Sequence, residues 1–143
     1  MKTASSLKSR LTRAQKKIHS LLENSSKALT AQAIYQQLKD QEQSVGLATV
    51  YRSLRSLQIK GLAQARALPN GEWAYGLTSD DSHYLTCVNC GTSVLVEDCP
   101  VHALEEKLGQ QLNQSSHFQI FYHTLEFFGL CAPCTRQIET ESP

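Results

Sequence analysis

Two cysteine pairs carry the clearest chemistry in the sequence. Cys87 and Cys90 are separated by two residues, and Cys131 and Cys134 repeat that spacing after 40 intervening residues. A two-residue spacer lets both sulfurs of a pair turn toward one ion, and four thiolates are a common tetrahedral ligand set for Zn²⁺. Gly91 follows the first pair and supplies the backbone freedom that a tight turn needs. The pattern predicts a structural zinc held by these four cysteines.

Two disulfides or a redox CxxC motif are the alternatives to a zinc site. The N-terminus is basic but has no apolar segment of a secretory signal, so we expect a cytoplasmic chain with reduced thiols. Two disulfides would also leave Cys99 over. A thioredoxin-like motif would need a βαβ setting for one pair and would leave the other pair unexplained. The residues therefore favour zinc.

A second group of possible metal ligands lies in the same half of the chain. Four of the five histidines are found there, together with Cys99 and Asp81. The histidines are His83, His102, His117 and His123. No two of them stand four residues apart on a helix, so spacing alone does not place them around one ion. Taken singly, each is more often an ordinary surface, strand or core residue.

The net charge of +1 hides an asymmetry between the two halves of the chain. Residues 1–75 contain 12 Lys and Arg against 4 Asp and Glu, whereas residues 76–143 contain 2 against 9. A basic half of this kind indicates contact with an anion such as nucleic acid, with a solvated basic surface as the alternative. No apolar run approaches the roughly 20 residues of a membrane helix, so we expect no membrane partner.

The first half has the pattern of three helices. Apolar residues recur at helical spacing after Thr12 and again after Thr30, and both threonines are suitable N-caps. A third helix is expected from about Ala48 to Lys60, because Gly61 stands in the position after the helix end that favours glycine.

A β-hairpin is predicted after the third helix. Two β-type runs, residues 62–68 and 72–77, flank a Pro-Asn-Gly turn whose Asn-Gly step is a strong hairpin signal. Three helices followed by a hairpin predict a winged helix-turn-helix domain over residues 1–77.

The third helix of such a domain enters the DNA major groove. Arg52 and Arg55 suit bidentate contact with guanine or clamping of phosphate, and Tyr51 offers a hydroxyl or a ring. Thr49 lies on the same polar side of the helix. The alternative is a small helical core with a solvated polar face. The charge and the wing favour binding of double-stranded DNA.

The second half is predicted to be a dimerisation and metal-binding domain over residues 84–143, joined by a hinge at 78–83. Strands flank the first cysteine pair, a helix is expected from about Pro100 to Asn113, and residues 118–129 form a long β-type run. The helix carries an apolar stripe that we expect to be core, namely Val101, Leu104, Leu108 and Leu112. The fold class is therefore α/β (α+β), and a sheet with apolar residues on both faces favours a homodimer.

The order of these parts resembles the ferric uptake regulator family of metal-sensing repressors. The match runs from about Leu11 to Cys134 and is specific where a Thr-Val-Tyr-Arg run is joined to two cysteine pairs. The quoted segments are Ala48-Thr49-Val50-Tyr51-Arg52, His83-Tyr84-Leu85-Thr86-Cys87-Val88-Asn89-Cys90-Gly91 and Gly129-Leu130-Cys131-Ala132-Pro133-Cys134. The resemblance implies a homodimer that binds an inverted-repeat operator when loaded with a divalent metal.

The resemblance also implies roles for individual residues. Tyr51 and Arg52 are expected to touch DNA, and the paired cysteines to hold the structural zinc. A regulatory metal site, carried over by offset from the cysteines, falls on Asp81, His83, His102 and His123. Cys99 stands where relatives carry an Asp that can ligate metal, so either Cys99 or Asp81 would complete a tetrahedral site with His83, His102 and His123. The positions of the usual hinge histidines hold Ser82 and Tyr84, so that common site is absent or rebuilt.

The departures from the family pattern point to the metal. Histidine or thiolate in place of carboxylate makes a site softer, and soft N and S ligands suit Zn²⁺ over Fe²⁺ or Mn²⁺. We therefore expect a non-enzymatic repressor of zinc-uptake genes that binds two Zn²⁺ per chain and no small-molecule substrate. An iron or peroxide sensor of the same family is the alternative.

Two other classes of protein fit these residues less well than a regulator does. A zinc deaminase would need a His-x-Glu motif and Pro-Cys-x-x-Cys, and neither is present. A zinc-ribbon interaction module without DNA binding would leave the basic half and Arg52 unexplained.

Overall fold

The structure is a computed structural model that describes residues 10–68, 70–79 and 82–141. The chain divides into two compact units, Met1–Asp80 and Asp81–Pro143. The predicted hinge at residues 78–83 spans this division, and two of its residues lie outside the described ranges. Among the described helices, none has the length and apolar character that crossing a membrane demands.

The first unit contains the three predicted helices. They are α1 (Arg13–Glu23), α2 (Ala31–Asp40) and α3 (Leu47–Ile59). Thr12 and Thr30 cap α1 and α2 by accepting hydrogen bonds from backbone N–H groups of the first turn, as predicted. Gly61 follows α3 with φ +70°, a conformation that L-residues with a side chain rarely adopt.

The predicted hairpin is present and forms the wing. Strands β2 (Ala63–Ala67) and β3 (Trp73–Leu77) are antiparallel, and Gly71 adopts φ +84° in the turn between them. A two-residue strand that the sequence analysis missed, β1 (Leu29–Thr30), adds to the free side of β3, so the sheet order is β1-β3-β2. The sheet anchors the wing to the start of α2.

One apolar core holds the first unit together. Ile34 of α2 is fully buried, as are Val50 and Leu57 of α3, and Ile18 of α1 packs in the same cluster. The apolar face predicted for α3 is therefore core, which leaves the polar side of that helix toward solvent.

Replacing Ile34 with alanine is expected to destabilise the first unit by about 2–5 kcal/mol, because it removes a fully buried side chain and leaves a cavity. Ile59→Ala is the matched control: Ile59 is 66 % exposed, so its loss should change the free energy of unfolding by less than about 0.5 kcal/mol. Trp73, the single tryptophan, lies in this unit and reports its denaturant unfolding by fluorescence. Equal effects of the two substitutions would contradict this description of the core.

The second unit is a small three-stranded sheet with two helices. Strands β4 (His83–Cys87) and β5 (Ser93–Val96) are antiparallel, and β6 (Glu126–Gly129) runs parallel to β4 on its other side. Helix α4 (His102–Ser116) connects β5 to the segment before β6. Helix α5 (Ala132–Glu141), which the sequence analysis did not predict, follows β6. The α/β (α+β) fold class is confirmed.

Two expectations for the second unit are wrong. The β-type run predicted over residues 118–129 is a strand only at β6, and residues 118–125 have no regular structure. The stripe predicted as core on α4 is not buried within the single chain: Leu104 is 53 % and Leu108 42 % exposed. Periodicity identified an apolar face, but the described residues of the chain leave most of that face exposed.

Candidate metal centres

The backbone at the end of β4 forms the first half of a four-sulfur centre. The chain turns sharply after Cys87, whose carbonyl accepts a hydrogen bond from the Gly91 N–H at 2.9 Å, and Gly91 has φ +77°. The Cys87 N–H in turn donates to the Thr92 carbonyl at 2.9 Å. This turn brings the Cys87 and Cys90 sulfurs within 4.8 Å of each other, as the CxxC spacing predicted.

Parallel pairing of β6 with β4 brings the second pair to the same place. Cys87 is paired in register with Gly129, two residues before Cys131, and Cys134 lies in the first turn of α5. The ligand atoms of all four cysteines lie within 4.8 Å of one another, and the Cys90 and Cys131 sulfurs are 3.7 Å apart. Two sulfurs each ~2.3 Å from a tetrahedral ion would be ~3.8 Å apart, so the four residues fit Zn²⁺.

The pKa values of Cys87 and Cys134 are shifted in opposite directions. Hydrogen bonds from the backbone, that of Cys90 foremost, lower the pKa of Cys87 to about 6. The Asn89 side chain lowers the pKa of Cys134, but its contacts with the sulfurs of Cys131, Cys87 and Cys90 together with burial prevail and raise it to about 12. Four thiolates so close repel one another unless a cation lies between them, and a divalent metal would therefore displace protons on binding.

Asn89 connects the two pairs, a role that the sequence analysis did not assign to it. Its Nδ2 donates a hydrogen bond to the Cys134 sulfur at 3.3 Å. A donor to a thiolate stabilises the charged form and orients the sulfur. An amide side chain between two cysteines of one pair is the only sequence signal for this contact.

A second donor cluster is formed by His83, Cys99 and His123. The Cys99 sulfur lies 3.2 Å from Nε2 of His83 and 3.2 Å from Nε2 of His123, and the two nitrogens are 3.0 Å apart. Around a tetrahedral zinc these separations would be about 3.6 Å for N and S and about 3.3 Å for two N atoms. The three donors therefore converge on one point and need to spread by only a few tenths of an ångström to hold an ion.

Three different elements supply these donors. His83 opens β4 and is only 4 % exposed, Cys99 lies between β5 and α4, and His123 lies in the irregular segment before β6. Asp98, with φ +58°, turns the chain just before Cys99. Cys99 is 16 residues from His83 and 24 residues from His123 in the sequence. Separations of this length do not form a short motif, so spacing alone cannot locate the site.

The residue of α4 that reaches this cluster is Glu105 rather than His102. Oε2 of Glu105 lies 2.5 Å from Nδ1 of His123, on the opposite edge of the ring from the Cys99 contact. His102 is the first residue of α4, its side chain is exposed, and it is not in the group that the structure brings together. The expectation that His102 shares a centre with His83 and His123 is not met in this arrangement. Asp81 lies outside the described residues.

The residues predicted to contact DNA lie on the solvent side of α3. Tyr51, Arg52 and Arg55 are exposed, and Thr49 is half-buried. Nη2 of Arg52 donates to Oγ1 of Thr49 at 3.1 Å, which holds the guanidinium against the helix. Their order along α3 provides a polar and cationic strip opposite the buried face.

Gln15 secures the end of this helix. Its Nε2 donates to Ser56 Oγ at 3.0 Å, and its Oε1 accepts from Lys60 Nζ at 3.0 Å and from the Thr12 N–H at 3.2 Å. A buried amide with these partners fixes the start of α1 against the last turns of α3.

Comparison with known proteins agrees with this geometry. Residues 6–128 match the model of the ferric uptake regulator family. A zinc uptake regulation protein of Mycobacterium tuberculosis is 32 % identical over 126 residues, which cover 87 % of this chain and 94 % of that protein. A ferric uptake regulation protein of Legionella pneumophila is 32 % identical over 107 residues, which cover 74 % of this chain and 76 % of that protein.

A solved structure shows the same fold. The crystal structure of the Vibrio cholerae ferric uptake regulator, described in terms of its DNA-binding domains, is 25 % identical and has a TM-score of 0.55. The likeness covers 85 % of this chain and 92 % of that one. The first unit contains a wing, and the second contains two clusters of residues that could hold a metal ion. Together with these likenesses, they define a metal-responsive, DNA-binding transcription regulator. The chain belongs to the ferric uptake regulator family.

Proposed function

We propose that the protein is a zinc-responsive repressor of zinc-uptake genes that binds DNA as a homodimer with Zn²⁺ as corepressor. The observation that carries this proposal is the convergence of two imidazole nitrogens and one thiol on a single point, at His83, His123 and Cys99. The protein is proposed to bind two Zn²⁺ per chain, one in this cluster and one among the four paired cysteines.

The donor chemistry favours zinc over iron or manganese in the second cluster. Carboxylate-rich, octahedral surroundings suit Mn²⁺ and open Fe²⁺ sites, whereas N and S donors in a tetrahedral arrangement suit Zn²⁺. The family resemblance implies both His102 and Asp81 as ligands. With Cys99 in the cluster, we propose that one of these two residues completes a tetrahedral site. His102 would have to turn inward at the start of α4 to take that place.

The homodimer is supported by the apolar surface of the second unit. Besides Leu104 and Leu108 on α4, Phe127 and Phe128 of β6 are 43 % and 64 % exposed. Apolar surface of this extent on so small a unit is typical of an interface between protein subunits. Two winged units in a symmetric dimer would suit the two half-sites of an inverted-repeat operator.

The position of the second cluster indicates how zinc could control DNA binding. His83 begins β4 and is the last residue of the hinge that is predicted to join the DNA-binding domain to the second domain. Ligation of His83 together with Cys99 and His123 would fix the start of this strand. Zinc shifts the equilibrium toward the DNA-binding state only to the extent that it binds that state more tightly.

The test is DNA binding at controlled free metal concentration. Inverted-repeat duplexes selected in vitro with zinc-loaded protein are titrated by fluorescence anisotropy with and without free Zn²⁺, and again with Fe²⁺ or Mn²⁺. We expect zinc to tighten binding at least tenfold and His123→Ala to remove that response while the dimer persists. Equal affinity with and without zinc would reject the switch, and a stronger response to Fe²⁺ would favour the iron-sensing alternative.

A matched control is available in the same unit. His117 follows α4, is exposed and adopts φ +55°. His117→Asn removes an imidazole while keeping a residue type that tolerates this backbone conformation. The variant should retain the full zinc response.

A further inference from the structure

The two ring nitrogens of His123 have separate partners. Nε2 faces the Cys99 sulfur and His83 Nε2, while Nδ1 faces the carboxylate of Glu105 from α4. Both side chains are largely shielded from solvent, with 17 % of His123 and 25 % of Glu105 exposed. The carboxylate therefore meets the ring in a partly desolvated setting, where a charge-assisted hydrogen bond is stronger than in water.

Glu105 is on the wrong side of the ring to be a ligand of the same ion. The lone-pair directions of the two imidazole nitrogens diverge, so a metal bound at Nε2 is remote from a carboxylate bound at Nδ1. A carboxylate can only accept a hydrogen bond, so it selects the imidazole form that carries its proton on Nδ1. That form leaves the lone pair of Nε2 free to bind a metal.

We propose that Glu105 is a positioning residue for the second metal centre. It fixes the tautomer and orientation of His123, so that Nε2 faces the other two donors of the cluster. Hydrogen bonding of this kind by a carboxylate outside the ligand set commonly controls metal affinity. The inference rests on the proposed zinc site at His83, Cys99 and His123 and adds a residue to it.

Glu105 also connects the cluster to α4. Among the three donors of the cluster, none lies in a helix, and the Glu105 contact joins His123 to a helix of 15 residues. A ligand held by a packed or hydrogen-bonded neighbour is better preorganised than one on an irregular segment alone. Loss of the carboxylate should therefore weaken metal binding without removing any ligand atom.

The experiment compares Glu105→Ala and Glu105→Gln with Glu106→Ala in the full-length protein with its four-cysteine site loaded. Glu106 is the exposed neighbour on the same helix and controls for loss of charge. Zinc affinity of the second site is measured by competition with a chelator. We expect Glu105→Ala to bind zinc about 10–100-fold more weakly, Glu106→Ala to match the wild type, and Glu105→Gln to fall between them because its amide oxygen still accepts.

A spectroscopic measurement separates positioning from general destabilisation. With the second site kept free of zinc, long-range ¹H–¹⁵N correlation of His123 should show the Nδ1–H tautomer in the wild type and in Glu105→Gln, and a mixture or the other tautomer in Glu105→Ala. If Glu105→Ala binds zinc with the wild-type affinity and keeps the wild-type tautomer, the positioning role of Glu105 is overturned, while the second metal centre still stands. One zinc per wild-type chain would overturn the second metal centre itself, and with it this inference.

Discussion

Replacing Cys87 with serine is expected to release the zinc of the four-cysteine site and unfold the second unit. Within the described part of that unit, the only residues classed as buried are His83, Cys87 and Cys134. So little buried apolar surface cannot by itself offset the entropy of ordering the chain. Structural zinc sites contribute about 10–16 kcal/mol to folding in small domains, which exceeds the stability of a typical unit of this size.

The measurement is zinc content together with the thermal unfolding of each unit. Far-ultraviolet circular dichroism should lose the signal of α4 and α5 in Cys87→Ser, while Trp73 fluorescence should show that the first unit remains folded. Cys99→Ser is the control for loss of a thiol outside the four-sulfur centre: by the proposal it gives up only the second Zn²⁺ and should keep α4 and α5 folded. A folded Cys87→Ser protein that keeps its full zinc content would contradict the structural role.

Replacing Arg52 with alanine is expected to weaken operator binding by about 1–3 kcal/mol for each copy in the proposed dimer, because an arginine of a recognition helix, the role proposed for α3, contacts base edges or phosphate. Its guanidinium is already held by Thr49, so little side-chain entropy is lost when DNA binds. Since a symmetric dimer loses two such contacts, the affinity should fall by roughly 30-fold or more. Anisotropy titrations over a range of salt concentrations measure both the affinity and its salt dependence.

Lys39→Ala is the matched control for this substitution. Lys39 is exposed in the last turn of α2. Its replacement by alanine removes the same formal charge as Arg52→Ala, but at a position outside α3. It should change affinity only slightly, through the general field of the basic half. Equal losses for both variants would show that charge in general, rather than the exposed face of α3, governs binding.

The sequence predicted the first unit well because its signals are local. Capping threonines, a glycine after α3 and an Asn-Gly turn each specify a boundary within a few residues, and the apolar spacing identified the buried face of α3. The four-cysteine centre was equally easy to predict, because the spacing within each CxxC pair is itself a local signal. The sequence did not indicate β1, because this two-residue strand forms only by pairing with the free edge of β3.

The second unit was harder because its geometry depends on distant contacts. Residues 118–125 have strand-like composition but no described strand partner, so they are irregular. The offset from the cysteines pointed to His102 on α4, whereas the helix presents Glu105 to His123 one turn later. Tertiary packing decides which side chain hydrogen-bonds to a metal ligand such as His123. Glu105 is one of several acidic residues in its half of the chain, so the sequence alone does not single it out for this contact.

The parallel pairing of β4 with β6 has a consequence for how the protein is assembled. A parallel pair needs a long crossover, here the chain from β5 through α4, before the second cysteine pair can meet the first. An ion held by all four sulfurs would close a ring of some forty residues, in the manner of a disulfide but removable by a chelator. Capture of the ion by all four sulfurs must await the last strand, so the rate of zinc uptake by the refolding chain should report when β6 docks.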